Sequence, residues 1–347
     1  GNKMMVDVLR TPNMDSFSPL HWAVGRNTQS FFNIWKSFGD KYAKERLSIL
    51  LLQLSTSSAL LSHIDQVGDT ILHTLVRHGC VRQSAELLTA LYSDHDTIIN
   101  LLSIQNAVYE TPLHLAAKCS GMLTELLTVF SLDESTKSEK DLHISNSSLV
   151  RLLQIQNLLG DTTLHKIASS SFAETVFQYL SASSLNSLLK RCNKRQETAM
   201  HIAVRHGTIW FIRGVLHKLK AFPKDIQYFL IFIVNTRSTP LHTAVYHVND
   251  KVLSCLLSQV EENATKALLT SIDEEGNSPI HLSVELNRID KLRLFLGLST
   301  VKWHPSLLLN KNKDCKTVID LIGNNMAIWK GLMDGILGKW VCNTFFP

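Results

Sequence analysis

The chain has 347 residues, of which 45% are hydrophobic and 19% charged, and its formal net charge is +5 at pH 7. This length exceeds what one compact core usually serves, and the composition excludes wholesale disorder, so several domains or an elongated repeat array are predicted. The small positive charge is too dilute for the concentrated basic face that nucleic-acid binding requires.

The amino terminus, from Gly1 to Arg10, lacks the apolar core of a secretory signal. No stretch of about 18 residues is continuously apolar, so no transmembrane helix is predicted. The six cysteines form no C-x-x-C pair, which favours reduced thiols and a cytoplasmic location.

A tetrapeptide of the form Ser/Thr-x-apolar-His recurs along the chain. An asparagine or aspartate stands eight residues before most copies, and a leucine pair lies further upstream. The leucine pair is expected to end the second helix and to face the neighbouring repeats. Ser and Thr are favoured helix N-caps, and the proline found after several of them fits the first helical position. Each copy therefore predicts a turn, a short helix, a loop and a longer helix, and stacking of such units buries a continuous core. The last residues of the tetrapeptides are His21, His73, His114, His165, His201, His242, His281 and, in a degenerate eighth copy, Asp320.

These tetrapeptides, followed by a small apolar pair such as Ala116-Ala117, resemble the ankyrin repeat. The resemblance extends from about Asn13 to about Gly323. It implies an all-α solenoid of about eight helix–turn–helix units with short turn fingers, in which the histidine links neighbouring turns. We assign residues 1–323 to this array.

The anchors are 52, 41, 51, 36, 41, 39 and 39 residues apart, whereas the ankyrin period is about 33. We expect the extra residues to follow the first helix, as lengthened helix from Phe31 to Phe38 and as a polar loop at 132–141. Such stretched repeats resemble ankyrin proteins that bacteria inject into host cells, which implies an effector in the host cytosol.

Residues 324–347 are predicted to form an amphipathic helix that caps the array. The alternative is a membrane-surface or partner-docking helix, although only two lysines, Lys330 and Lys339, lie on its polar side and disfavour membrane attachment. The apolar residues at helical spacing are Ile328, Trp329, Leu332, Met333, Ile336, Leu337 and Trp340.

No catalytic or metal-binding constellation is predicted. Seven of the fifteen histidines are repeat anchors, and whole repeats separate them, so they cannot converge on one metal ion. The sequence signatures of zinc proteases, serine hydrolases and phosphate-binding loops are missing. We therefore predict no enzyme, no cofactor and no metal in this sequence.

The ankyrin resemblance implies that a partner protein binds over the turn tips and the first helices. The tips of the second, third and fourth repeats are apolar, so they either pack on neighbouring fingers or form a binding patch. The later repeats add basic and aromatic side chains. The predicted partner-binding residues are Val67, Val108, Tyr109, Leu158, Leu159, Lys194, Arg195, Arg205, His206, Arg237, Tyr246 and His247.

This mixture predicts a protein partner with an apolar anchor and acidic flanks, bound by a monomer, and predicts neither nucleic acid nor a membrane as partner. A non-catalytic binding scaffold is the favoured function. The targeting part of a larger enzyme and a membrane-associating adaptor remain open as alternatives.

Overall fold

The computed structural model describes residues 62, 64–91, 94–130, 146–170, 174–220, 239–246, 250–258, 262–296 and 306–333. The repeat anchored at His21, the expected long helix from Phe31 to Phe38 and the expected polar loop at 132–141 lie outside these residues. The chain divides into two compact units, Gly1–Asn193 and Lys194–Pro347, which we call unit 1 and unit 2.

The described residues are organised as short helices joined by turns. In unit 1 they are α1 (Ile71–Arg77), α2 (Val81–Ala90), α3 (His95–Ser103), α4 (Pro112–Ala116), α5 (Ser120–Thr128), α6 (Asn146–Gln154), α7 (Thr163–Ala168), α8 (Glu174–Phe177) and α9 (Ala182–Leu189). In unit 2 they are α10 (Ala199–His206), α11 (Ile209–Lys218), α12 (Pro240–Tyr246), α13 (Asp250–Ser258), α14 (Glu262–Thr270), α15 (Pro279–Glu285), α16 (Ile289–Leu296), α17 (Ser306–Leu309) and α18 (Val318–Ile322). Within these ranges no β-strand forms, although Gln156 and Thr162 make an isolated β-bridge.

The first helices that the structure describes begin at the predicted caps. In α1, the side chain of Thr70 caps the backbone of His73, and the His73 ring reaches back to the Thr70 backbone, which forms a reciprocal capping box. The same box starts α4, α7, α10 and α15, and Asp320 replaces the histidine in α18. Such a cap stabilises a helix start by about 0.5–2 kcal/mol, so the tetrapeptide fixes where each repeat begins.

The stretched repeats differ from the predicted unit in having a third helix. In unit 1 the first helices pack as α1–α4–α7, the second helices as α2–α5–α8 and the third helices as α3–α6–α9. Unit 2 shows the corresponding packing in α10–α12–α15–α18, α11–α13 and α14–α17. Much of the extra length of these repeats is therefore ordered helix.

The leucine pairs explain why the third helices form. Leu101-Leu102, Leu152-Leu153 and Leu188-Leu189 lie in α3, α6 and α9, and each of these leucines is 2% exposed or less. A fully buried leucine contributes about 1.5–3 kcal/mol. The pairs thus hold the third helices against one another, whereas the sequence interpretation had placed them at the end of the second helix.

Residues 326–333 are helical and bury Ile328 and Leu332. The indole N–H of Trp329 donates to the carbonyl of Gly323 at 2.8 Å. The remainder of the expected capping helix, residues 334–347, lies outside the described residues. Capping of the last repeat therefore stays a prediction.

Candidate protein-binding surface

The repeats whose starts the structure describes begin with a finger, a tight turn that a carboxylate or amide side chain closes. In the third repeat, Asn106 Oδ1 accepts hydrogen bonds from the backbone N–H groups of Val108 and Glu110, at 3.1 and 3.0 Å. Asp65, Asn157 and Asp273 close their fingers in the same way. Asn and Asp are suited to this role because their side chains can bond nearby backbone, as the sequence predicted.

Backbone hydrogen bonds hold neighbouring fingers in register. In unit 1 the Ala107 N–H donates to the Val67 carbonyl at 3.0 Å, and the Leu158 N–H donates to the Val108 carbonyl at 3.2 Å. The side-chain amide of Gln105 also donates to the carbonyls of Tyr109 and Gln156, at 2.7 and 2.9 Å. The three fingertips that the structure describes in unit 1 are therefore fixed relative to one another.

The anchor histidines link one repeat to the next. Nε2 of His73, His114 and His242 lies 3.0 Å from a carbonyl oxygen in the finger of the following repeat, on Glu110, Asp161 and Asn277 respectively. Nε2 of His281 lies 3.0 Å from the carbonyl oxygen of Asn310, two residues before the next finger. A carbonyl can only accept, so Nε2 carries the proton. Nδ1 is then free to accept from the cap, as from the Thr111 hydroxyl at 2.8 Å.

Burial keeps these rings neutral. Desolvation lowers the pKa of His114, His165 and His242 to about 4, and it also lowers the pKa of His73 and His281. In the part of the chain that the structure describes, no group of three or more His, Cys, Asp or Glu side chains could hold a metal ion. The anchors are structural links, as the ankyrin resemblance implied.

The apolar fingertips of unit 1 form one row, which we call the fingertip row. Its members are between 48% and 55% exposed, so neighbouring fingers leave about half of each side chain uncovered. All of them were predicted as partner-binding residues. The row consists of Val67, Val108, Tyr109, Leu158 and Leu159.

Tyr109 occupies a left-handed backbone position. Its φ is 60°, and in the neighbouring fingers the equivalent residues are Gly68 and Gly160, with φ of 74° and 76°. A residue with a Cβ costs roughly 1–2 kcal/mol there relative to glycine. Strained residues of this kind concentrate at functional sites.

Two exposed cations lie at or just after the ends of first helices in unit 1. Arg77 and Lys118 each lie four residues after an anchor histidine and are exposed. Arg77 pairs at 2.7 Å with Asp69, whose side chain is only 3% exposed, so the carboxylate is shielded while the guanidinium reaches solvent. The sequence interpretation missed both cations, although their constant distance from the anchors was a usable signal.

The remaining predicted residues belong to unit 2. Lys194, Arg195 and His206 are exposed, and Tyr246 is 51% exposed. Arg205 is half-buried and forms an ion pair with Glu197. Arg237 and His247 lie outside the described residues. The residues predicted as one surface are thus divided between the two units.

One exposed aromatic residue escaped the sequence interpretation. Trp210, near the start of α11, is about half exposed, and the Arg213 guanidinium lies 5.7 Å from its ring centroid. Trp210 lies on the second helix of its repeat, at a position that does not recur at a fixed distance from the anchors. The repeat pattern therefore gave no signal for it.

Comparison with solved structures shows that the chain has the ankyrin-repeat fold. The ankyrin repeat domain of Bcl-3, described as a unique member of the IkappaB protein family, is similar with a TM-score of 0.52 and 20% sequence identity. The match covers 76% of this chain and 99% of that chain. No family model and no curated protein matches the sequence. Among the described residues, no helix is long and apolar enough to cross a membrane.

Proposed function

We propose that this chain, which has the ankyrin-repeat fold, is a non-catalytic protein–protein interaction scaffold that holds its partner over the fingertip row of unit 1. The observation that carries the proposal is the row itself. Five large apolar side chains stay about half exposed on three fingers that backbone hydrogen bonds hold together. A contiguous exposed apolar patch of this kind marks interaction sites on soluble proteins.

The strained backbone of Tyr109 supports the same surface. The chain retains a large aromatic residue where the neighbouring fingers have glycine, at a cost in stability. Aromatic residues are enriched at interfaces because they combine a large apolar area with a polar group. Binding is a function that would offset this cost.

The proposed partner has an apolar anchor and acidic flanks. Lys118 has no ion pair within the described residues, and the guanidinium of Arg77 stays exposed beside its shielded carboxylate. Such cations steer an acidic partner and set its register more than they add affinity.

Adding charge to the fingertip row tests the proposal. A partner is first identified by affinity purification and mass spectrometry with the wild-type protein. The variant Val108→Asp/Leu158→Asp is expected to bind it at least about 100-fold more weakly, because binding would bury two unpaired carboxylates in an apolar contact and remove them from water. Since both side chains are half exposed, the thermal unfolding midpoint should change little.

The matched control is Ile272→Asp/Leu309→Asp. These residues are 48% and 56% exposed, and they belong to unit 2, so they are not members of the fingertip row. The control adds the same charge and should keep the affinity of the wild type. Equal affinities of the fingertip variant and the control would contradict the proposed surface.

Tyr109→Gly should separate binding from stability. Glycine relieves the left-handed strain, so the free energy of unfolding is expected to rise by up to about 1 kcal/mol, while partner affinity falls through the loss of the ring. Urea unfolding and calorimetric titration measure the two effects. A variant that is less stable and binds normally would remove Tyr109 from the site.

We further propose that the scaffold is a secreted bacterial effector that binds a host protein in the host cytosol. The anchor spacings of 36 to 52 residues support this, and none of the five cysteines within the described residues forms a disulfide, which suits a reducing compartment. The test is purification from eukaryotic and bacterial lysates in parallel. A partner that depends on the fingertip row and occurs only in the bacterial lysate would overturn the effector role.

A further inference from the structure

The second helix of the fifth repeat, α11, buries one side in unit 2 and exposes the opposite side to solvent. Its apolar side is formed by residues such as Phe211 and Val215, which are fully buried or nearly so. The exposed positions are separated by three, four and three residues, so they share one side of the helix. We call this side the α11 face; it consists of Trp210, Arg213, His217 and, just past the helix end, Lys220.

The α11 face carries cations and an aromatic ring but no carboxylate. Neither Arg213 nor Lys220 takes part in any ion pair that the structure describes. Basic residues in the last turn of a helix favour its macrodipole, which accounts for His217 and Lys218. Arg213 lies in the middle of α11, where the macrodipole gives no such benefit, so its exposed charge has another use.

Trp210 offers a partly open aromatic ring on this face. It is 52% exposed, and the Arg213 guanidinium lies 5.7 Å from the ring centroid, within the range of a cation–π interaction. Gly214 stands four residues after Trp210, where a side chain would lie next to the ring, and it has none. An apolar group of a partner can therefore contact the ring beside a fixed positive charge.

The positive charge is only about one helix wide on the side where the structure describes the neighbouring second helix. This neighbour is α13, which packs on α11. Ser254 occupies the position of Arg213, twelve residues after the anchor histidine, and Asp250 at the start of α13 is exposed. The Asp250 carboxylate is paired with Lys291, although half of its side chain reaches solvent. The basic surface of α11 therefore does not continue onto α13.

We propose that the α11 face is a second docking site, which binds an acidic peptide segment of a partner protein. An apolar side chain of the segment covers the Trp210 ring, and its carboxylates lie over Arg213 and Lys220. Tryptophan and arginine are the residues most often found at the energetic centres of protein interfaces. The site lies on a second helix of unit 2 and shares no residue with the fingertip row.

A narrow acidic segment fits this face better than an anionic membrane does. Helices that lie on membranes insert a whole apolar side between the lipids. The apolar side of α11 is buried in unit 2, which leaves Trp210 alone to insert. A membrane would also extend over α13, where Asp250 is exposed.

Short designed peptides provide the probe. The first peptide carries glutamates around a central pair of leucines. The second has lysines in place of the glutamates, and the third has serines in place of the leucines. The glutamate–leucine peptide is expected to bind the full chain at least about tenfold more tightly than either of the others, as measured by fluorescence anisotropy at low salt.

Variants of the α11 face test whether this helix is the site. Trp210→Ser and Arg213→Glu/Lys220→Glu should each weaken binding of the glutamate–leucine peptide at least about tenfold, because each removes one of the two kinds of contact. Trp210→Phe keeps an aromatic ring and should retain most of the affinity. Since these side chains are exposed, the thermal unfolding midpoint should change little in all three variants.

The matched control is Arg288→Glu/Lys330→Glu. Both residues are exposed in unit 2 and lie outside α11, and the control changes the net charge by the same amount. It should bind the glutamate–leucine peptide like the wild type. The fingertip variant Val108→Asp/Leu158→Asp should also bind it like the wild type, which separates this site from the fingertip row.

Undiminished binding by Trp210→Ser, or equal binding of the glutamate and lysine peptides, would overturn the inference. Sedimentation with phosphatidylserine vesicles tests the other source of negative charge. Vesicle binding that Trp210→Ser abolishes, together with no binding of the glutamate–leucine peptide, would assign the α11 face to a membrane instead.

Discussion

Acidification from pH 7 to pH 4.5 is expected to destabilise the repeat array steeply. His114, His165 and His242 have a folded pKa of about 4, against 6.5 in the unfolded chain. Below pH 6.5 these histidines become protonated in the unfolded chain, whereas in the folded protein they stay neutral until about pH 4. Each of these histidines therefore removes about 1.4 kcal/mol per pH unit between pH 6.5 and pH 4, where the loss ends.

The physical cause is that the folded structure cannot accommodate an imidazole ring protonated on both nitrogens. Nδ1 accepts from the helix cap, so a proton there would break the cap of its own helix. Asp94 and Asp320, whose pKa values are lowered from 3.8 by hydrogen bonds, lose their contribution only below this range. Burial raises the pKa of Asp273, which favours the folded state as the pH falls, but three histidines act in the other direction and dominate the pH dependence above pH 4.

Thermal unfolding followed by circular dichroism from pH 8 to pH 4 measures the effect. The midpoint should be flat above pH 7 and fall below pH 6.5. His114→Gln, which removes one titrating ring, should be less stable at pH 7 and show a shallower pH dependence. A midpoint that stays constant down to pH 4.5 would contradict neutral, desolvated anchors.

Gly68→Ala is expected to destabilise unit 1 by about 3 kcal/mol. Gly68 has a φ of +74°, and a Cβ there would lie 2.6 Å from the backbone nitrogen of Ala107. That nitrogen belongs to the next finger and donates to the Val67 carbonyl at 3.0 Å, so it cannot rotate aside as a side chain could. The methyl group must break this hydrogen bond or separate the two fingers.

Gly79→Ala separates the close contact from the backbone strain. Gly79 has a φ of +68°, but a Cβ there would meet nothing within 4 Å. Only the left-handed strain applies, so a loss of roughly 1 kcal/mol is expected in urea unfolding. If both variants lost the same stability, the close approach of the second and third fingers would not be a feature of the fold in solution.

The sequence predicted the repeat starts because their physics is local. A cap such as Thr111 and an anchor such as His114 act within three residues, and Asn106 closes its own turn, so residue type and spacing reveal them. The third helices were not predicted, because Leu101-Leu102 reads equally well as the end of a longer second helix. Whether the second and third helices are separate depends on packing against the next repeat, and the spacing of residues along the sequence does not reveal that packing.

Part of the candidate surface was also predicted, because its signal is local as well. Apolar tips such as Leu158 and Leu159 stand out in a turn, where polar residues are usual. The left-handed position of Tyr109 could have been inferred by aligning it with Gly68 and Gly160. The shielding of Asp69 beneath Arg77 depends on a three-dimensional contact and could not.

The anchor contacts run in one direction, and this gives the chain a polarity. The Nε2–H groups of His73, His114 and His242 are each satisfied by a carbonyl in the finger of the repeat that follows. Removing a repeat from the carboxyl side would leave a donor without an acceptor, whereas removal from the amino side would only free a carbonyl. During synthesis on the ribosome, each such repeat must therefore wait for its successor before its histidine is paired.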